Sequence, residues 1–117
     1  MNFSNIEEKI VEPFYRYVHL SRVNISDVFL IKWKGGTKVL AKYDTCYESD
    51  NDLDLDDPEY EDFIEIVISI ESLISFNNKD KLEKKWLQKG HLIGINYHNF
   101  PDEIYNSRGE LISKREN

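Results

Sequence analysis

The stretch VFLIKWKGGTKVLAKY, residues 28–43, predicts a β-hairpin and thereby sets the fold class. Residues 28–33 are apolar, β-branched or aromatic except for Lys32, which is the composition that strands favour. Gly35 and Gly36 provide the backbone freedom of a tight turn, because glycine adopts positive φ without steric cost. The apolar residues after the turn predict a second strand that returns antiparallel to the first.

Three segments downstream of this hairpin predict more strands. Residues 63–70, FIEIVISI, form a nearly continuous apolar run, which indicates a central strand covered on both faces. Residues 91–97 predict another strand. Residues 104–112 predict a short second hairpin around the turn sequence Asn-Ser-Arg-Gly.

Two helices are predicted, one on each side of the strand-rich middle. Ser4-Asn5-Ile6-Glu7 has the form of a capping box, so a helix is expected near residues 4–12, ending or kinking at Pro13. A second helix is expected near residues 79–89, ended by Gly90, with its apolar face formed by Leu82, Trp86 and Leu87. The whole pattern predicts one α+β domain over residues 1–117, with a mostly antiparallel or mixed sheet packed against both helices.

The charges of the chain are distributed unevenly. Residues 44–71 contain twelve carboxylates and no lysine or arginine, whereas the chain as a whole has a net charge of −7. The segments on either side of this block are therefore mildly basic. Within the block, residues 47–62 are rich in Asp and Asn and contain Pro58, so they predict a long surface loop.

This acidic loop is the predicted binding site for a partner. A dense set of carboxylates mimics a polyanion or docks a basic protein, because complementary charge raises the association rate and rejects wrong partners. Tyrosine among polar residues is favoured at interfaces. The simpler alternative is a solvated loop that only maintains solubility. The predicted partner-binding residues are Glu48, Asp50, Asp52, Asp54, Asp56, Asp57, Glu59, Tyr60 and Glu61.

A calcium-modulated binding module is an alternative function for the same carboxylates. The spacing of Asp50, Asp52, Asp54, Asp56 and Glu61 matches several ligand positions of a twelve-residue calcium loop. The sixth position, which requires glycine for a sharp turn, is occupied by leucine, and strands rather than helices flank the segment. We therefore predict no metal ligand and no cofactor, and keep calcium as the alternative.

A small enzyme is the second alternative, and its possible catalytic groups are His91, His98 and Cys46. The sequence has no Cys-x-x-Cys, no His-Glu-x-x-His and no glycine-rich phosphate loop. Asp102 is close enough in sequence to share a turn with His98. The acidic surroundings of Cys46 disfavour its thiolate form. We therefore predict no catalytic residue and a protein that is not an enzyme.

The remaining features restrict the compartment and the partners. Cys46 is the sole cysteine, the N-terminus lacks the pattern of a signal peptide, and no apolar stretch approaches the ~20 residues that span a bilayer. The lysines of residues 79–89 are interrupted by carboxylates, which favours a solvated helix face over a nucleic-acid site. We expect a cytoplasmic protein that binds neither nucleic acid nor membrane. Its oligomeric state stays open.

The chain resembles the immunity proteins of bacterial toxin systems, including contact-dependent growth inhibition and other polymorphic toxins. The segments that carry the resemblance are residues 33–36 (WKGG), 44–51 (DTCYESDN) and 100–105 (FPDEIY), within a short acidic α+β chain. The resemblance implies a protein that binds a cognate toxin domain, often a basic nuclease, and blocks its active site or substrate face. Immunity proteins differ widely in fold, so the resemblance assigns no individual residue.

Overall fold

A computed structural model describes residues 1–20, 24 and 26–115. In this part of the chain two helices precede six strands. The helices are α1 (Asn5–Ile10) and α2 (Glu12–Leu20), and the strands are β1 (Val28–Lys32), β2 (Lys38–Asp50), β3 (Asp62–Ser75), β4 (Leu92–Ile95), β5 (Glu103–Tyr105) and β6 (Leu111–Lys114). No helix in these residues has the length and apolar content needed to cross a membrane.

The six strands form one sheet in the order β4-β3-β2-β1-β5-β6, with every neighbouring pair antiparallel. Both predicted hairpins are confirmed, as β1–β2 and as β5–β6. The turn of the first hairpin closes with a bond from the Trp33 amide to the Thr37 carbonyl, 2.9 Å. Gly36 adopts a φ of 114° in this turn, as the glycine pair predicted. The α+β class is confirmed.

The N-terminal helices form as one kinked pair. The capping box is present, because the Ser4 hydroxyl accepts from the Glu7 amide and the Glu7 carboxylate accepts from the Ser4 amide. The break between the helices falls at Val11, and the chain is helical again through Pro13. Proline is tolerated there because it lies in the first turn of α2, where its missing N–H has no intrahelical partner.

The predicted helix over residues 79–89 is wrong. This segment contains only a 3-10 turn, Lys84–Trp86. Its polar groups bond to the first hairpin instead: the Asp80 carboxylate accepts from the amides of Gly35, 2.8 Å, and Thr37, 3.0 Å. A tertiary contact with the hairpin turn therefore takes the place of the predicted helix. Leu87 is buried as predicted, whereas Trp86 is 48% exposed.

The core lies between the helices and one face of the sheet. It combines Ile10 and Phe14 of the helices, and Val11 between them, with inward residues of β1 to β5. β3 alternates between buried isoleucines at 64, 66, 68 and 70 and half-buried residues between them. The prediction that this strand is covered on both faces is therefore wrong, because the helices pack against one side of the sheet only. The opposite face leaves every second residue in contact with solvent.

Candidate protein-interaction site

The long strands β2 and β3 project beyond their neighbours. β1 pairs with β2 only as far as Lys42, and β4 pairs with β3 only from Ile66 to Ser69. Among the described residues, the outer part of β2 therefore pairs with β3 alone, ending at the pair Asp50 and Asp62. We call residues 48–62 at the end of this hairpin the acidic tip.

The loop within the acidic tip is shorter than predicted. β2 continues to Asp50 and β3 starts at Asp62, so the connecting loop comprises residues 51–61 rather than 47–62. Two of the predicted binding residues, Glu48 and Asp50, consequently lie on a strand. Cross-strand pairing outweighs the low strand propensity of these acidic residues.

Hydrogen bonds give the loop a defined shape. Asn51 closes its base, because its amide donates to the Glu61 carbonyl, 3.1 Å, and its side chain donates to the Glu59 carbonyl, 2.8 Å. Two successive turns follow, with the Asp57 amide bonded to the Asp54 carbonyl and the Tyr60 amide bonded to the Asp57 carbonyl, both 2.9 Å. The loop thus presents its side chains from an ordered backbone.

Two aspartates of the tip support this backbone directly. The Asp50 carboxylate accepts from the Asp52 amide, 2.8 Å, and the Asp57 carboxylate accepts from the Glu59 amide, 2.8 Å. Asp52 has a φ of 64°, a conformation that Asp and Asn tolerate better than most other residues. Substitutions at these positions therefore alter the backbone as well as the charge.

Most of the predicted binding residues face solvent. Asp57, Tyr60 and Glu61 are half-buried, and the exposed ones are Glu48, Asp50, Asp52, Asp54, Asp56 and Glu59. Partial burial, followed by the charges of Asp50 and Asp62, raises the pKa of Tyr60. The tip therefore displays a concentrated negative potential.

The acidic tip also exposes two leucines that the sequence analysis did not single out. Leu53 is 40% exposed and Leu55 is 83% exposed. They alternate with aspartates in the sequence DLDLD, residues 52–56. This alternation was the signal that could have revealed them. The tip accordingly offers an apolar contact surrounded by carboxylates, which matches the apolar centre and polar rim of protein interfaces.

Glu61 ties the base of the acidic tip to the segment that follows β4. Its carboxylate accepts from the Tyr97 hydroxyl and pairs with the His98 ring nitrogen Nε2 at 2.6 Å. These two hydrogen bonds lower the pKa of Glu61. Burial and the bond to Glu61 raise the pKa of Tyr97 to about 12. His98 and Asp102, which are close enough in sequence to share a turn, do not pair, because the Asp102 carboxylate accepts from the Lys34 amide at 2.6 Å.

The Glu61 contacts predict a defined pH dependence. Because the folded-state pKa of Glu61 lies below the ordinary 4.5, its stabilising effect is complete above that pH and is lost as the pH falls through the lowered value. Wild type should therefore exceed Glu61→Gln in the free energy of unfolding at about pH 6, and the difference should shrink progressively as the pH is lowered below 4.5. Urea titrations of both proteins measure it, and a difference that is constant with pH would contradict the prediction.

The alternatives of a calcium module and an enzyme gain no support from the geometry. Within the described residues, no three His, Cys, Asp or Glu side chains converge in an arrangement that holds a metal ion. His91 packs on Trp86 with ring centroids 5.6 Å apart, whereas His98 binds Glu61. Burial raises the pKa of the Cys46 thiol to about 11, so it is protonated at neutral pH and is a poor nucleophile.

Comparison with known protein families identifies the class of protein to which the chain belongs. The profile of the family described as cognate immunity protein YxxD matches residues 16–117, which includes the whole sheet and the acidic tip. The chain belongs to this family. The resemblance to toxin-immunity proteins is thereby confirmed, and the partner of such a protein is its cognate toxin. Membership also indicates that the chain acts as an inhibitor of that toxin. No curated protein and no solved structure matches the chain.

Proposed function

We propose that this immunity protein neutralises a basic, nuclease-type bacterial toxin by placing its acidic tip on the cationic surface where the toxin holds nucleic acid. The observation that carries the proposal is the concentration of carboxylates on an ordered projection from the sheet. The tip contains nine carboxylates and no lysine or arginine. Such a surface mimics the phosphates of a nucleic acid and competes for the same cationic groups.

The rigidity of the tip contributes to this role. A loop whose backbone is flexible loses conformational freedom when it binds, and this ordering lowers its affinity. Here the Asn51 bonds and the two turns order the loop before binding. The negative potential accelerates the encounter with a basic toxin, and fast capture is what protection of a cell requires.

We place this activity in the bacterial cytoplasm, where a nuclease toxin would meet its substrate. The sole cysteine, Cys46, is free, so the described fold is held by its core and hydrogen bonds and needs no oxidising compartment. Inhibition by occupancy requires neither a metal nor a catalytic group of the immunity protein.

Neutralising two exposed aspartates of the tip should weaken toxin binding. The double substitution Asp54→Asn and Asp56→Asn removes two charges and preserves side-chain size, and neither carboxylate supports the loop backbone. We expect the Kd for the cognate toxin to rise about tenfold at low salt, with less dependence on salt than wild type. Calorimetry at low and high salt measures both effects.

The matched control removes two charges from the helices, through Glu8→Gln and Glu12→Gln. Both residues lie outside the acidic tip, and Glu12 forms only a surface pair with Arg16 at 3.1 Å, which contributes little to stability. This control should bind as tightly as wild type. Equal Kd values for the tip variant and the control would contradict docking through the acidic tip, because the position of the removed charges would then make no difference.

A further inference from the structure

The edge strand β4 leaves main-chain groups available to a partner. The backbone of Ile70 in β3 points toward β4. The Ile70 amide donates to the His91 carbonyl, 2.9 Å, and the Ile70 carbonyl accepts from the Gly90 amide, 2.8 Å. Because bonding direction alternates along a strand, the amides of Ile93 and Ile95 face β3 while those of Leu92 and Gly94 face outward. The Gly94 carbonyl contacts the Asn99 side chain at 3.4 Å. No other described residue bonds to these outward groups.

β4 lacks all but one of the features by which edge strands avoid pairing with other chains, namely that it is only four residues long, as is β6. Proteins protect such edges with charged side chains, proline or bulges. The sequence of β4 is Leu-Ile-Gly-Ile, without any of these, and its pairing with β3 is regular. The opposite edge strand, β6, includes Lys114. β4 is therefore the edge of this sheet that is suited to accept another strand.

A groove runs beside this edge. It has a volume of about 420 Å³ and lies between β4 and residues 81–87. Trp86 is 48% exposed and Leu92 is 57% exposed at this groove. Exposed tryptophan next to a groove is typical of a residue that contributes strongly to binding. The groove thus provides side-chain pockets next to free main-chain groups.

The border of the groove is basic, in contrast with the acidic tip. Residues 79–89 contain five lysines and two carboxylates. Asp80 is engaged with the first hairpin turn, and Glu83 pairs with Lys85 at 3.2 Å. Lys81 lines the groove itself. A partner segment that complements this border carries acidic side chains.

We propose that β4 binds an extended, apolar and acidic segment of the toxin, which adds to the sheet as a seventh strand. The proposal rests on the toxin-binding function above and gives that partner a second contact. The segment that follows β4 links this edge of the sheet to the acidic tip, since Tyr97 and His98 both contact Glu61. The acidic tip ends at Asp62, and Leu92 at the groove pairs with Ser69. These two positions are about 23 Å apart along β3, so one protein interface can cover both surfaces.

Two single substitutions test the groove. Leu92→Lys introduces the charge that protected edges carry, and Trp86→Ala removes the exposed aromatic ring. Each should raise the Kd for the cognate toxin about 30-fold. The matched control is Leu111→Lys, a similarly exposed leucine, 47%, on the opposite edge strand β6. It should leave the Kd unchanged. Lys81→Glu should weaken binding as well, because it reverses a charge at the groove.

Amide hydrogen exchange of the immunity protein, alone and with the toxin, gives an independent readout. Strand addition should slow exchange at the outward amides of Leu92 and Gly94, whereas docking by side chains alone would leave both amides as fast as in the free protein. The same measurement on Leu92→Lys without toxin verifies that the fold is intact. Unchanged exchange at both amides in the complex would overturn the proposal.

The two sets of variants separate this inference from the proposed function. If the groove variants bind as wild type does while the Asp54 and Asp56 double variant is weakened, the inference fails and the acidic tip stands. If only the groove variants are weakened, the acidic tip fails as the docking surface and the groove stands. Wild-type protein that does not bind the toxin would overturn both.

Discussion

Replacing Phe14 by alanine is expected to lower the free energy of unfolding by about 4 kcal/mol, because the side chain is fully buried where helix and sheet meet. Its ring packs edge-on against Phe29 and Tyr43, with centroids 5.2 and 6.3 Å away, and tilted against Phe100, 6.5 Å away. The substitution loses the transfer free energy of the ring and leaves a cavity between α2, β1 and β2.

Urea denaturation with fluorescence detection measures this loss. The matched control is Leu20→Ala on the same helix, where the side chain is 71% exposed, and it should change the free energy by less than about 0.5 kcal/mol. A domain of this size has a total stability of about 5–15 kcal/mol, so the Phe14 variant should retain a small margin. A loss below about 1 kcal/mol would show that α2 does not pack as described.

The parts of the fold that the sequence predicted correctly depend on local chemistry. The hairpin turn at Gly35 and Gly36, the capping box at Ser4 and the second hairpin each involve residues close together along the chain. Their stereochemistry is decided within a few residues, so turn and cap signals are sufficient to identify them.

The parts of the fold that the sequence predicted wrongly depend on contacts between residues far apart along the chain. The extension of β2 to Asp50 requires pairing with β3, and acidic side chains in a strand are not predicted by local propensity. The absence of a helix near residues 79–89 follows from the bonds of Asp80 to a turn 45 residues upstream. A helical pattern of leucines and lysines carries no information about such a contact.

For the candidate site, composition identified the acidic residues but not their different roles. Asp50, Asp57 and Glu61 hold the loop through hydrogen bonds, whereas Asp54 and Asp56 are available to a partner. The charge block in the sequence treats all of them alike. The groove beside β4 was not predicted, because an edge strand is recognised only from the order of strands in the sheet.

Replacing Glu7 by alanine is the second large effect that we expect, a loss of about 3 kcal/mol in the free energy of unfolding. The Glu7 carboxylate is 3% exposed, and accepts from the Ile64 amide at 2.7 Å and from the Ser4 amide at 3.1 Å. Alanine removes a charged hydrogen bond, leaves the Ile64 amide without its acceptor, and eliminates half of the capping box.

Two control variants separate these causes. Glu8→Ala removes a neighbouring exposed carboxylate of α1 and should cost less than about 0.5 kcal/mol. Glu7→Gln keeps one acceptor oxygen and should lose about half as much as alanine, because neutral hydrogen bonds are roughly half as strong as charged ones. Equal losses for the alanine variants of Glu7 and Glu8 would contradict a specific role of the carboxylate at β3.

The position of Glu7 also makes a prediction about the acidic tip. Ile64 lies in β3 beyond the end of β4, so no carbonyl of β4 can accept from its amide. The Glu7 carboxylate accepts from this amide instead. In Glu7→Ala, amides of residues 62–65 should exchange faster relative to Ile68, which β4 still covers. A looser tip must be ordered when it binds, so the Kd for the toxin should also rise. Uniform acceleration along β3 would instead indicate loss of global stability alone.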